Sequence, residues 1–195
     1  MALREVLIDE LRDMYSAENQ LIKALPKLAK GAKSPKLKEL FTAHLDETKG
    51  QVERLKEVFL ELEEKPTGSH CNGMEGVIEE GADALEKDQK GASFDSGLIG
   101  AALRTEHYEI AGYQASIAMA KALGMPQIAS LLTSNLDEEL AAAEKITVAA
   151  RAILAKSAEE PEAPKKPMSG KEKYSAEKSR EDEEKAAPDL KKRAS

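Results

Sequence analysis

Four long stretches of this chain repeat an apolar residue every three or four positions, a period that fits one face of an α-helix. In the first, Leu7, Leu11, Met14, Leu21, Leu25 and Leu28 fall on one face between Leu3 and Lys30. The second carries Phe41, Leu45, Val52, Leu55, Phe59 and Leu62 between Pro35 and Glu64. The third has Ile99, Leu103, Ile110, Tyr113 and Ile117 between Ser96 and Leu123, and the fourth Ile128, Leu132, Ile146 and Ile153 between Pro126 and Lys156. A helix with one apolar stripe has to bury it, and four such stripes turned inward make a bundle. Abundant Ala, Leu, Glu and Lys, with only 4% aromatic residues and no Trp, also favours long helices over sheets. The expected fold class is all-α.

The breaks between stripes set the topology. Gly31 and Ser34-Pro35 stop one helix and start the next, and Gly124 and Pro126 do the same further on. Both turns are short, so each predicts an antiparallel pair. Pro26 lies inside the first helix and predicts a kink or loosened last turns, because proline removes a hydrogen bond and crowds the preceding turn. The connection from Pro66 to Asp95 is much longer, enough to cross the bundle, with a shorter helix expected from about Met74 to Lys87 between Gly73 and Gly91. After Lys156 the periodicity ends and Pro, Lys, Glu, Ser and Ala take over, a composition with too little apolar surface to order itself. The expected organisation is a bundle over residues 1–156 and a disordered tail over 157–195.

Charge narrows the function classes. The net charge is −7, and the ten basic and ten acidic residues from Ser157 onward cancel, so the excess belongs to the bundle. Binding to nucleic acid calls for a basic patch, and binding to an anionic membrane surface for a basic cluster. Arg4, Glu5, Asp9 and Glu10 stand where a signal peptide would be apolar, and no stretch is long and apolar enough to span a bilayer. A cytoplasmic protein is expected. Cys71 is the only cysteine, which excludes an intrachain disulfide and a cysteine-based zinc motif. His70 beside it reads as a chance neighbour. No phosphate-binding glycine loop occurs.

The informative residues are those that break the stripes. Continued by threes and fours, the first runs Leu11, Met14, Glu18, Leu21; the third Leu103, Glu106, Ile110; the fourth Leu132, Asn135, Glu139, Ala142. Three helices therefore put a carboxylate on the face that should be dry. An unpaired buried carboxylate is unfavourable by several kcal/mol, so it is neutralised, paired or bound to a cation. The second stripe passes Thr48, flanked by His44 and Glu47, with Gln51 one turn on, and Glu109 lies three residues beyond Glu106. Height along the bundle is consistent with one layer. Glu18 and Glu47 each lie roughly 20 Å from the first turn at 1.5 Å per residue. Glu109 and Glu139 match around Gly124, and Glu106 is about one turn off. Glu18, Glu47, Glu106, Glu109, Glu139 and His44 are the candidate ligands of a two-metal site, an oxygen-rich set suited to iron or manganese. Tyr15 and Tyr113 lie near the layer as core residues, Glu138 is expected to be solvated, and His107 points elsewhere. Di-metal bundles often carry two Glu-x-x-His motifs. Here Gly50 follows Glu47 and Ala142 follows Glu139 at that spacing, and His44 precedes its glutamate instead.

Three runs carry a family likeness: Tyr15-Ser16-Ala17-Glu18-Asn19-Gln20, His44-Leu45-Asp46-Glu47-Thr48, and Glu106-His107-Tyr108-Glu109-Ile110-Ala111-Gly112-Tyr113. From about Leu3 to Ala155 the chain resembles the bacterial YciE/YciF-type stress proteins of the ferritin-like superfamily, related in design to rubrerythrin. The resemblance implies a ferritin-like four-helix bundle, a homodimer, a stress-induced role and a di-iron site without a settled reaction. It further implies that Glu18, Glu47, Glu106, Glu109 and Glu139 are the carboxylates such proteins use; His44 has no clear counterpart there.

Overall fold

The computed structural model describes residues 2–86 and 92–159, which form five helices in the order α1 Leu3–Gly31, α2 Pro35–Glu61, α3 Asn72–Glu86, α4 Ala92–Ala122 and α5 Pro126–Glu159. The tail expected to be disordered falls, from residue 160, outside the described residues, as do Lys87 and Gly91. Helix α5 continues three residues beyond Lys156.

Pro26 does not end α1, which runs on to Gly31. The proline is exposed, so the carbonyl it leaves without an amide partner is on the side where water can take its place. The α1–α2 turn is closed from outside by α4. Asp95 accepts from the backbone amides of Lys33 (2.8 Å) and Ser34 (2.6 Å), immediately before Pro35 starts α2. Helix α4 ends at Ala122 and is closed by Gly124, whose φ of +70° suits a residue without Cβ, with the Met125 amide reaching back to the Ala120 carbonyl at 2.9 Å. Helix α2 stops at Glu61, three residues earlier than its pattern predicts. There Glu63 takes the left-handed conformation (φ 54°), and the Glu64 amide returns to the Phe59 carbonyl.

Four helices form the bundle. Helix α1 packs on α2 and α4, and α5 packs on α4 and α2. Cross-contacts fix the directions. Asp13 meets Tyr108 while Lys33 meets Asp95, so α1 and α4 run antiparallel; Glu47 meets Lys145 while Arg54 meets Glu138, so α2 and α5 do too. With both short turns, this leaves α2 parallel to α4, and the connection between them must return along the whole bundle. Helix α3 supplies most of that return. It begins beside Asp13 and Tyr108, ends with Leu85 against Gly31, and covers the α1–α4 groove. The long crossing connection expected from sequence is present.

The apolar core comes in two parts. One gathers Leu21, Leu25, Leu37, Phe41, Phe94, Leu98, Ile146 and Ile153; the other Leu7, Leu11, Met14, Leu55, Phe59, Tyr113, Ile117 and Leu132. In every bundle helix, polar residues separate the two.

Candidate metal centre

The interruption is a buried polar layer. Glu18, Glu109 and Glu139 are 0% exposed, Glu106 2% and His44 5%, with Thr48, Gln51 and Asn135 also at 0%. Helix periodicity puts them there, since each continues a stripe whose neighbours above and below are core residues. Helix α4 contributes two carboxylates because Glu106 and Glu109, three apart, share a face.

Ligand atoms of His44, Glu106, Glu109 and Glu139 all lie within 4.8 Å of one another. The imidazole Nε2 is 3.4 Å from Glu106 Oε2 and 3.8 Å from Glu139 Oε2. The one-turn offset of Glu106 is therefore spanned by its side chain. Glu18 completes the layer from α1, and Tyr113 donates to its Oε1. Glu47 stands at the edge. Its Oε1 accepts from Lys145 Nζ at 3.0 Å, and its Oε2 lies 3.5 Å from His44 Nδ1. His44, Glu47, Glu106 and Lys145 line a small cavity of about 20 Å³ between α2 and α5, with Phe41 and Ile146 among its apolar walls.

Electrostatics follows from this crowding. Burial, then the nearby Glu139 charge, pushes Glu18 well above the ordinary carboxylate value. Burial and Glu139 do the same to Glu106, and burial with Glu139 and Glu18 to Glu109. Glu47 goes the other way, held at about 2 chiefly by its contact with His44, with help from Lys145. Burial and the Glu18 charge raise the Tyr113 phenol.

Amide and phenol donors take one oxygen of some ligands and leave the other open. Gln51 Nε2 donates to Glu139 Oε1, and Asn135 Nδ2 donates to the Tyr113 hydroxyl at 2.9 Å. Glu18 Oε2, His44 Nε2, Glu106 Oε2, both Glu109 oxygens and Glu139 Oε2 are buried with no hydrogen-bond partner among the described residues. These open atoms form an oxygen-rich donor set with one imidazole nitrogen, which could hold a metal ion.

Other sequence candidates fall outside the layer. His107 is exposed, and Tyr15 packs edge-on against Phe59 with ring centroids 5.9 Å apart. His70 pairs with Glu75 at the surface while Cys71 is fully buried, so the two neighbours form no joint site. Glu138, expected to be solvated, is instead paired with Arg54. Arg54 is a further residue of the site that the apolar pattern does not single out. Its one signal in the sequence is its spacing, three residues after Gln51 and seven after Glu47, which keeps it on the flank of the same face.

Residues 2–159 match the family described as a domain of unknown function, DUF892. The chain is 43% identical over 146 residues to Protein YciF of Escherichia coli K12, covering 74% of this chain and 88% of that protein. It superimposes on the crystal structure of the E. coli stress protein YciF with a TM-score of 0.78 at 41% identity, over 80% of this chain and 99% of the other. A second solved structure, YcfI of Rhodopseudomonas palustris, has provisionally been given a structural role; it matches with a TM-score of 0.73 at 41% identity, over 75% of this chain and 94% of that one. At 24% identity, a Xanthomonas campestris protein shares the fold, with a TM-score of 0.63 over 81% of this chain and 97% of its own. The match to the family spans the whole described helical body, and the chain belongs to DUF892.

Proposed function

We propose that this chain is a ferritin-like carboxylate protein of the bacterial stress response that holds two iron or manganese ions in its mid-bundle layer. One observation carries the reading: buried, unpartnered ligand atoms of His44, Glu106, Glu109 and Glu139, from three helices, lie within 4.8 Å of one another, with Glu18 of the fourth helix buried beside them. A folded protein leaves few buried acceptors unsatisfied, and repelling carboxylates at this density call for cations or protons to occupy them. His44, Glu106, Glu109 and Glu139 would hold one ion. Glu18, with an oxygen of Glu109, would hold the second. When bound, such metals supply Lewis-acid and redox chemistry toward O2 or peroxide. The chain's own part is to exclude bulk water by burial, to hold a phenol proton against Glu18 Oε1, and to border the small cavity beside His44 with the Glu47–Lys145 pair. The setting we propose is cytoplasmic and homodimeric, and light scattering that returned a monomer at micromolar concentration would remove the dimer.

A second reading is a helical structural or interaction protein without a functional metal site. The hydrogen bonds linking Glu18 to Tyr113, Asn135 to Tyr113, Gln51 to Glu139 and Arg54 to Asn135 favour it, since they tie the four bundle helices together, as does the role provisionally given to YcfI. Metal content and thermal melts separate the two. With Fe(II) loaded anaerobically, about two ions per chain are expected, and Glu18→Ala and Glu106→Ala should lose that uptake. Without metal, the same variants should melt no lower than the parent, because each removes a buried carboxylate that lacks its cation. Destabilised variants together with no uptake of iron or manganese would leave the structural reading standing.

A further inference from the structure

We infer that Arg54, which reaches none of the candidate ligands, positions Glu18 for a cation through a one-way chain of hydrogen bonds. The inference rests on the metal-site reading above and goes beyond it by assigning residues outside the ligand set. Its logic lies in donor inventory. A guanidinium donates and never accepts. Arg54 Nε donates to Asn135, so the atom facing it has to be the carboxamide oxygen, which fixes the orientation of that amide. The Asn135 amide nitrogen then points inward, where it donates to the Tyr113 hydroxyl at 2.9 Å and, at 3.4 Å, to the Gln51 carbonyl, which supports the same orientation of the amide. A hydroxyl whose lone pair is taken in this way turns its proton elsewhere, and Glu18 Oε1 receives it. Glu18 Oε2 is left as the buried atom without a partner, free for an ion. Four residues on four helices thus choose which oxygen of Glu18 remains open. Outside the chain, Glu138 holds the far end of the guanidinium.

Two ordinary roles for Arg54 predict different results. Acting through space, its positive charge opposes a bound cation yet favours the ionised form of Glu18, so a pure charge role predicts an affinity change in Arg54→Met that adds to that of Tyr113→Phe. As a plain α2–α5 tie through Glu138, its loss should lower the melting temperature and leave affinity unchanged, and Glu138→Gln should behave the same way. As a positioning residue, Arg54→Met should weaken Mn(II) or Co(II) binding by about 10- to 100-fold, the range found when partners of metal ligands are removed. Tyr113→Phe cuts the chain one step further on with the loss of a single hydroxyl, and serves if Arg54→Met folds poorly. It should cost a similar factor, and the double variant should be no worse than the weaker single one, because residues acting as one chain are not additive. Glu138→Gln should bind as the parent does.

The experiment is competition titration of Mn(II) and Co(II) into the full chain and these variants. It is paired with the Tyr113 Cζ chemical shift in metal-free protein, which Arg54→Met should move. Tighter binding in Arg54→Met, unchanged binding in Tyr113→Phe, or additive losses would overturn the inference while the metal site stood. If the parent binds no metal, the metal reading fails, and an unmoved Tyr113 signal in Arg54→Met would then show that the chain does not exist either.

Discussion

Cys71 accepts and donates at nearly every polar atom it has. Its amide donates to Ser16 Oγ (3.1 Å) and its carbonyl accepts from Gln20 (3.1 Å). Its sulfur takes the Met74 amide at 3.3 Å and contacts Asp13 and the Tyr108 hydroxyl, at 3.1 and 3.0 Å. Burial, more than any other influence, pushes the thiol above its ordinary value, so the group is a buried anchor for the start of α3 and a poor nucleophile. Two glycines close to it test how tightly that anchor is packed. A Cβ on Gly73 would lie 2.7 Å from the Tyr108 ring, and the ring cannot retreat without breaking its bonds to Cys71 and Asp13. A Cβ on Gly76 would meet nothing within 4 Å among the described residues. Gly73→Ala should therefore lower stability by about 1–3 kcal/mol through overpacking, and Gly76→Ala should raise it by roughly 0.5–1 kcal/mol through helix propensity. Urea melts of the pair decide it, and equal effects would mean that the Tyr108 contact is soft. Nothing in the sequence around His70-Cys71 announces this anchor, because its partners Asp13, Ser16 and Tyr108 come from two other helices.

Helix α2 ends where local geometry departs from its pattern. Apolar periodicity extends to Leu62, which is buried, yet the chain turns left-handed at Glu63. Returns from the Glu63 amide to Leu60 and from the Glu64 amide to Phe59 give the helix a termination usually built around glycine. An L-residue in that conformation is unfavourable by roughly 1–2 kcal/mol. Glu63→Gly should thus stabilise the protein by up to about 1 kcal/mol once glycine's greater freedom in the unfolded chain is set against it. A lower melting midpoint for this variant would mean that the Glu63 side chain contributes more than its backbone strain removes. The example marks how far the sequence can be read at the level of elements. Stripes, turns and the crossing connection are legible because burial enforces a period. A helix end set by one residue's φ leaves no such period. The same limit governs the site. Glu18, Glu106, Glu109 and Glu139 are legible as polar residues on dry stripes. The choice between Glu138 and Glu139, the edge position of Glu47 and the role of Arg54 all depend on helix rotation about its axis. At about 100° per residue, a rotation of roughly 50° decides which of two neighbours faces the core.

For the whole molecule, stability should depend on pH in a way that reports on the metal layer. Glu18, Glu106 and Glu109 have folded-state values raised above the ordinary 4.5. A raised carboxylate contributes stability that is fully present below its unfolded value and is lost as pH climbs through the folded one. Glu47 is opposite in sign: its value of about 2 gives stability that is present above 4.5 and lost as pH falls through about 2. Above roughly pH 5 the Glu47 contribution is constant, and the three buried carboxylates govern the slope. Each contributes a loss of about 1.4 kcal/mol per pH unit while it is ionised in the unfolded chain and protonated in the folded one. Metal-free protein should therefore melt progressively lower as pH rises above about 5. Loading with Mn(II) or Fe(II) should reverse the trend, because an ion binds the ionised carboxylates and competes with the protons for them. Differential scanning calorimetry at several pH values, with and without metal, reads both slopes from one preparation. A metal-free melting temperature that rose with pH over that range would mean the buried carboxylates are already ionised and compensated within the protein, and the layer would need no cation.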